Sequence, residues 1–228
     1  MATSNVTTFQ MTRNEFIEAA LRKLGVLAEG VTANATQITT GQQAANLVIK
    51  AMQTLGMQAW KKTSTTVAMV ADQISYSIAV PFPLKIEQAY LTTTTGSVID
   101  IEIVSNYNFN LLPNSASGTP IQTTYIPNLT TGNLKMWPAP DVGAVSSYTF
   151  NIVSQKPFDV FTASTETIDL AEEWQLAMVY KLAHVLADDY QLPLEDKTYL
   201  GKQAETYIST AQGFGTEDTS SYFYPQRR

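Results

Sequence analysis

The residues whose types and spacing could do chemistry are few. His184 is the only histidine, and it stands four residues before Asp188. On one helix turn that spacing would let a carboxylate orient an imidazole as a general base. The plainer reading is a half-buried helical residue bonded to a neighbour. Carboxylates fall in adjacent pairs at Glu172-Glu173, Asp188-Asp189 and Glu195-Asp196. Glycoside hydrolysis needs two carboxyls facing each other across roughly 5–10 Å. Neighbours on a helix point in different directions, and acids in a first turn already complement the helix dipole. A wall-degrading hydrolase would therefore need partners from separate elements.

Other reactive groups are absent from the sequence. There is no cysteine, which excludes thiolate nucleophiles, disulfides and sulfur-ligated zinc, and one histidine does not make a metal centre. No serine sits in a G-x-S-x-G elbow, and no phosphate-binding loop or dinucleotide fingerprint occurs. The expectation is a protein with no catalytic residue, no cofactor and no metal. Tyr76, Tyr90, Tyr107, Tyr125 and Trp137 could form a sugar-binding platform, and Thr92–Thr95 could sit beside it. Alternating aromatics more often fill a core or a subunit contact. The alternative to a purely structural protein is thus a carbohydrate-binding β module or a cell-wall hydrolase.

Composition points toward protein contacts. Charged residues are 15% of the chain against roughly 25% in ordinary globular proteins, and apolar residues are 44%. Thr, Ser, Asn and Gln supply the remaining polarity. The net charge is −6, and the basic residues are scattered, with adjacent pairs at Arg22-Lys23, Lys61-Lys62 and Arg227-Arg228. A protein that grips phosphates concentrates its cations, so sequence-specific DNA binding is not expected. No apolar run approaches the roughly 20 residues that span a bilayer. Residues 1–11 lack the pattern of a signal peptide, so no membrane association and a cytoplasmic origin are expected.

The elements that would position these residues change period along the chain. Residues 1–11 read as an extended polar arm. Thr12 and Glu15 have capping-box spacing, and Phe16, Ile17, Ala20, Leu21 and Leu24 then repeat on one face before Gly25. A second helix is predicted from Gln37 to Leu55, ended by Gly56, with Met57 and Trp60 folding back. Alternation follows. Val67 and Met69 with Ile74, Tyr76 and Ile78 predict a hairpin turning at Asp72-Gln73. Further strands are predicted at Ile86–Thr93, Ser97–Val104, Ile121–Ile126, Asn133–Trp137 and Val145–Val153, with a helical turn near Tyr107. Helices return from Asp169, read as a cap, to Tyr190, and from Pro193 to Ala211. Gly213-Phe214-Gly215 reads as a flexible joint.

This order predicts an α+β fold. Four helices form a bundle body from 1–62 and 159–212. An antiparallel β domain of 63–158 is inserted in it, and 213–228 forms an extended C-terminal arm. That arm carries Tyr222, Phe223 and Tyr224 and ends in Arg227 and Arg228. Aromatics for pockets and arginines for carboxylates suit a docking segment.

Several phrases, in this order, resemble the head-to-tail adaptors of tailed phages, the P22-type tail accessory factor family. They are FIEAALRKLGVLA (Phe16–Ala28), LVIKAMQTLGMQAW (Leu47–Trp60), DQISYSI (Asp72–Ile78), PLKIEQAYL (Pro83–Leu91), GTPIQTTY (Gly118–Tyr125), LKMWPAP (Leu134–Pro140) and EWQLAMVYKLA (Glu173–Ala183). The resemblance implies a virion protein of the neck. About twelve copies would form a closed homo-oligomeric ring between the portal protein above and the tail nozzle below. Genomic DNA would cross its lumen unread at ejection. It also implies that the arm reaches the portal, with Tyr222, Phe223, Tyr224, Arg227 and Arg228 as the portal-binding residues.

Overall fold

The computed structural model describes residues 8–54, 61–79, 81–113 and 115–214. They form two compact units, one from 8–54 with 158–214 and one from 61–157.

The first unit opens on α1 (Arg13–Lys23). Its start is fixed as the sequence suggests: the Glu15 backbone N–H donates to Thr12, and the Glu15 carboxylate accepts from the Thr12 N–H at 2.8 Å. Those bonds hold the Glu15 carboxyl below its usual range, the Thr12 backbone bond first. Phe16, Ile17, Ala20 and Leu21 are fully buried. Each large one stabilises the fold by about 1.5–3 kcal/mol relative to exposure. Helix α2 (Ala35–Gln53) carries a second capping box, from Asn34 and Gln37. Helices α5 (Glu172–Leu186) and α6 (Leu194–Phe214) complete the unit.

The four-helix bundle body expected from the sequence is overturned. The chain is a mixed α+β fold dominated by a curled seven-stranded sheet, with six helices among the described residues. The four long helices all contribute to one buried cluster, but they do not pack on one another evenly around it. Helix α5 is the hub on which α1 and α2 pack, while α6 runs along α5 with little packing on the other two. Non-helical Leu27, Phe158, Phe161, Ile168 and Leu170 supply much of the remaining core. Apolar stripes show that a helix needs a partner, but not which surface covers it.

A polar stripe on α2 holds part of that non-helical core in place. The Gln42 amide donates to the Phe161 carbonyl at 2.9 Å. Asn46 donates to the same carbonyl at 3.1 Å and accepts from the Phe161 N–H at 2.9 Å. Lys50 donates to the Phe158 carbonyl at 2.6 Å, and Gln53 accepts from the Phe158 N–H at 3.1 Å. Spacing of three and four residues puts all four side chains on one flank.

In the second unit the strands are β1 (Lys62–Val67), β2 (Ser75–Ile78), β3 (Lys85–Thr93), β4 (Val98–Ile103), β5 (Ser117–Gly118), β6 (Gln122–Pro127), β7 (Gly132–Trp137), β8 (Ala139–Pro140) and β9 (Tyr148–Gln155). The large sheet has the order β1-β9-β3-β4-β6-β7-β2, and β5 pairs with β8 separately. Its core is Tyr76, Ala89, Leu91, Ile101, Leu134, Met136, Phe150 and Ile152. These come from strands far apart in the sheet order yet pack together, which requires the sheet to curl about them.

Several sequence expectations fail here for local reasons. The β block is not purely antiparallel, because β4 pairs with β6 in parallel, as β5 does with β8. The predicted hairpin between β1 and β2 does not form, and the two strands lie at opposite ends of the sheet. A turn does occur, with Asp72 at φ 62°. It folds onto the Tyr76 hydroxyl, which donates to the Gln73 carbonyl at 2.9 Å and accepts from the Val70 N–H at 3.2 Å. Val145 to Ser147 belong to a helix, α4 (Val142–Ser147), because Asp141 caps it through the Ala144 N–H at 2.6 Å. A short helix α3 (Asn106–Phe109) provides the turn expected near Tyr107. The β3–β4 hairpin turns at Gly96, φ 88°, between the two strands predicted at Ile86–Thr93 and Ser97–Val104. Asp169 does not cap α5: its carboxylate accepts from the Asp159 N–H at 2.9 Å, and Ala171 holds the cap position. Gly213 and Phe214 belong to α6 rather than to a joint.

Candidate functional site

His184 sits on α5 facing α6, with Nδ1 3.1 Å from the Lys197 carbonyl. Its ring lies against Gly201, where a Cβ would come within 3.1 Å of Cε1. Asp188 bonds Lys197 rather than His184. The imidazole and the carboxylate are therefore not brought together, and His184 is a helix-packing residue. Among the described residues no group of three or more His, Asp or Glu is placed to hold a metal ion.

The aromatic set is dispersed too. Tyr76 is buried in the sheet core. Burial raises its phenol above the usual range, against a lowering contribution from Val70. Tyr125 donates to the Pro83 carbonyl, and its phenol is likewise raised by burial. Tyr90 meets Ser64 at 3.1 Å across β9, and the Trp137 indole donates to the Pro113 carbonyl at 2.8 Å. Only Tyr107 stands free, at 75% exposure. Four residues bonded in separate places and a fifth left exposed form no platform. Tyr222, Phe223, Tyr224, Arg227 and Arg228 lie outside the described residues, as do Met57 and Trp60.

Sequence reasoning missed how the amino-terminal segment is held. Gln175 on α5 is buried, donates to the Phe9 carbonyl at 2.9 Å and accepts from the Met11 N–H at 3.3 Å. A buried amide on a helix needs such partners, so the signal available was a Gln amid the α5 apolar run. The chain then bridges Thr12 to Thr167, and the Arg13 N–H donates to the Glu166 carbonyl at 2.8 Å. The Glu166 side chain accepts from the Thr162 hydroxyl at 2.6 Å and from the Ala163 N–H at 2.8 Å. These bonds, that of the Thr162 hydroxyl first, hold its carboxyl down at about 2.

Two hollows formed by described residues are open to docking. One is a groove of about 550 Å³ in the second unit, walled by β1, β2 and the end of β9. The other is a shallower hollow on α6 beside Leu194, Thr198, Tyr199 and Lys202. Single apolar side chains also project, including Leu129 at the β6–β7 tip with 100% exposure.

Among the described residues, projecting apolar side chains offer surfaces for contact with other proteins. The chain belongs to the SU10 adaptor protein family, whose profile matches residues 11–227. It is a structural adaptor of a phage virion. No curated protein matches the chain. Among the described residues no helix is long and apolar enough to cross a membrane.

Proposed function

We propose that this adaptor joins the portal to the tail as a closed ring, with genomic DNA passing through its lumen. The observation that carries the reading is the adaptor-family match over nearly the whole chain. About twelve copies would stand side by side, in the manner of the P22-type accessory factor, since heterologous contacts close into rings when the rotation permits. The first unit forms the ring wall, the second projects outward or toward the tail nozzle, and the arm reaches the portal. A weakly charged surface supports lateral packing, and a net charge of −6 leaves little to retain DNA.

The portal contact is assigned to Tyr222, Phe223, Tyr224, Arg227 and Arg228. Because α6 runs to Phe214, the test cut falls after that residue, where it spares the helix. Purified portal rings are expected to co-sediment with the full chain and not with the chain lacking 215–228. Equal co-sedimentation would overturn the arm assignment.

A further inference from the structure

Strand β4 changes neighbours partway along. Residues 98–101 pair with β3, whereas Glu102 and Ile103 pair with β6. The Thr93 N–H donates to the Ser97 carbonyl at 2.9 Å, so the odd-numbered residues of β4 turn their main-chain groups toward β3. The even-numbered ones turn away from it, and the Glu102 N–H accordingly donates to the Ile121 carbonyl at 3.1 Å. On that same side, Val98 and Asp100 have no strand beside them among the described residues. The cause lies just upstream of β6. Pro120 has no N–H, and the Ile121 N–H is already donated to the Trp137 carbonyl at 2.9 Å. The parallel ladder therefore stops at Glu102 and leaves the first part of β4 as an edge that can accept an added strand.

The side chains along this edge are open as well. Val98 is 62% exposed and Ile99 42%, although Ile99 lies directly across from Leu91, which is fully buried. Ile99 shares the inward face of β4 with the buried Ile101, so the apolar face of the sheet runs out to the edge uncovered. Asp100 and Glu102 project from the opposite face. Glu102 accepts from the Gln122 amide at 2.7 Å. Asp100 makes no side-chain hydrogen bond or ion pair among the described residues. The edge thus offers main-chain donors and acceptors, an apolar position on one face and an unpaired carboxylate on the other.

A second copy of β4 is a poor occupant. Two such edges paired antiparallel about Ile99 set the Asp100 of each copy diagonally across from the other, and like charges so placed repel. We propose that residues 98–101 take an extended segment of another protein, one that carries Lys or Arg at alternate positions with a β-branched apolar residue between them. Added antiparallel, this segment exchanges main-chain bonds with Val98 and Asp100, sets a cation beside Asp100 and covers Ile99. Opposite charge selects the strand that is accepted, and the alternation of faces sets its register. The edge belongs to the second unit alone and does not require a ring.

The test uses the full-length chain and two fluorescent peptides, Ser-Lys-Val-Lys-Val-Ser and Ser-Glu-Val-Glu-Val-Ser, with binding followed by anisotropy. Saturable binding of the lysine peptide is expected, with the glutamate peptide weaker by about tenfold or more. A lysine peptide N-methylated at both lysines has no N–H to give the edge, and its binding should be lost. Asp100→Lys alters an exposed side chain with no partner to lose, and it should turn the preference toward the glutamate peptide. Val98→Pro removes one outward N–H while leaving the bonds to β3, and should weaken the lysine peptide by about fivefold. If Val98→Pro does not fold, Asp100→Lys and the methylated peptide still decide. Absence of binding by the lysine peptide, equal binding of the glutamate or the methylated peptide, or an unchanged preference in Asp100→Lys each overturns the proposal. So does a dimer of the unmodified chain in sedimentation velocity that Val98→Pro dissociates, since that puts a second copy on the edge. No portal is present in any arm, so this outcome is independent of portal co-sedimentation.

Discussion

Two side chains show how polar groups are spent on structure in this protein. The Tyr76 hydroxyl lies in the sheet core and closes the 70–73 turn through Gln73 and Val70. Tyr76→Phe keeps the ring and strands those backbone groups, so it is expected to cost about 1–2 kcal/mol, read as a lower urea midpoint with an unchanged slope. Glu166 is half-buried, and its carboxyl is held at about 2 by Thr162 and Ala163. Its folded value lies below the ordinary carboxylate value of about 4.5. The ionised form therefore stabilises the fold above that value, and the contribution fades as pH falls from 4.5 toward 2. Glu166→Gln is expected to lower the melting temperature at neutral pH and to narrow the gap to the unmodified chain across that window. Parallel melting curves at every pH would refute it.

At the scale of elements, the bonds that hold the return segment to α2 matter as much as the apolar stripes. Asn46→Ala removes both bonds to the Phe161 backbone. It is expected to cost about 2–3 kcal/mol, more than Gln42→Ala, which removes one bond to the same carbonyl. Where α1 crosses α2, Gly41 is buried against Ile17, and a methyl there would strike the Ile17 Cγ2. Gly41→Ala is expected to destabilise by about 1–3 kcal/mol in thermal unfolding despite its better helix propensity. These elements also show what a sequence reading reaches. The α1 capping box and the β3–β4 turn are local, and each was legible in four or five residues. The pairing of β1 with β9 joins residues almost 90 positions apart, and nothing in KTSTTV names its partner. The missed α4 depended on Asp141 outweighing the β preference of Val142 and Val145. The missed stripe Gln42, Asn46, Lys50, Gln53 looked like an ordinary solvated flank, because its partners come from a segment more than 100 residues away.

For the whole molecule, the sequence yielded the adaptor family but not the architecture. The bundle body failed because four amphipathic stripes do not specify that α5 alone is the hub, nor that a curled sheet dominates. The candidate chemistry dissolved for the same reason: His184 lies on α5 and Asp188 just past its end, and Lys197 of α6 engages both, its carbonyl meeting the imidazole and its ammonium the carboxylate. The central proposal is that this chain is a stoichiometric ring component of the virion neck. Quantitative mass spectrometry of purified particles of the phage that carries it tests that claim most directly, scored against the portal protein. A ratio near one to one is the expected result. Absence from the particle, or one or two copies per virion, would contradict it.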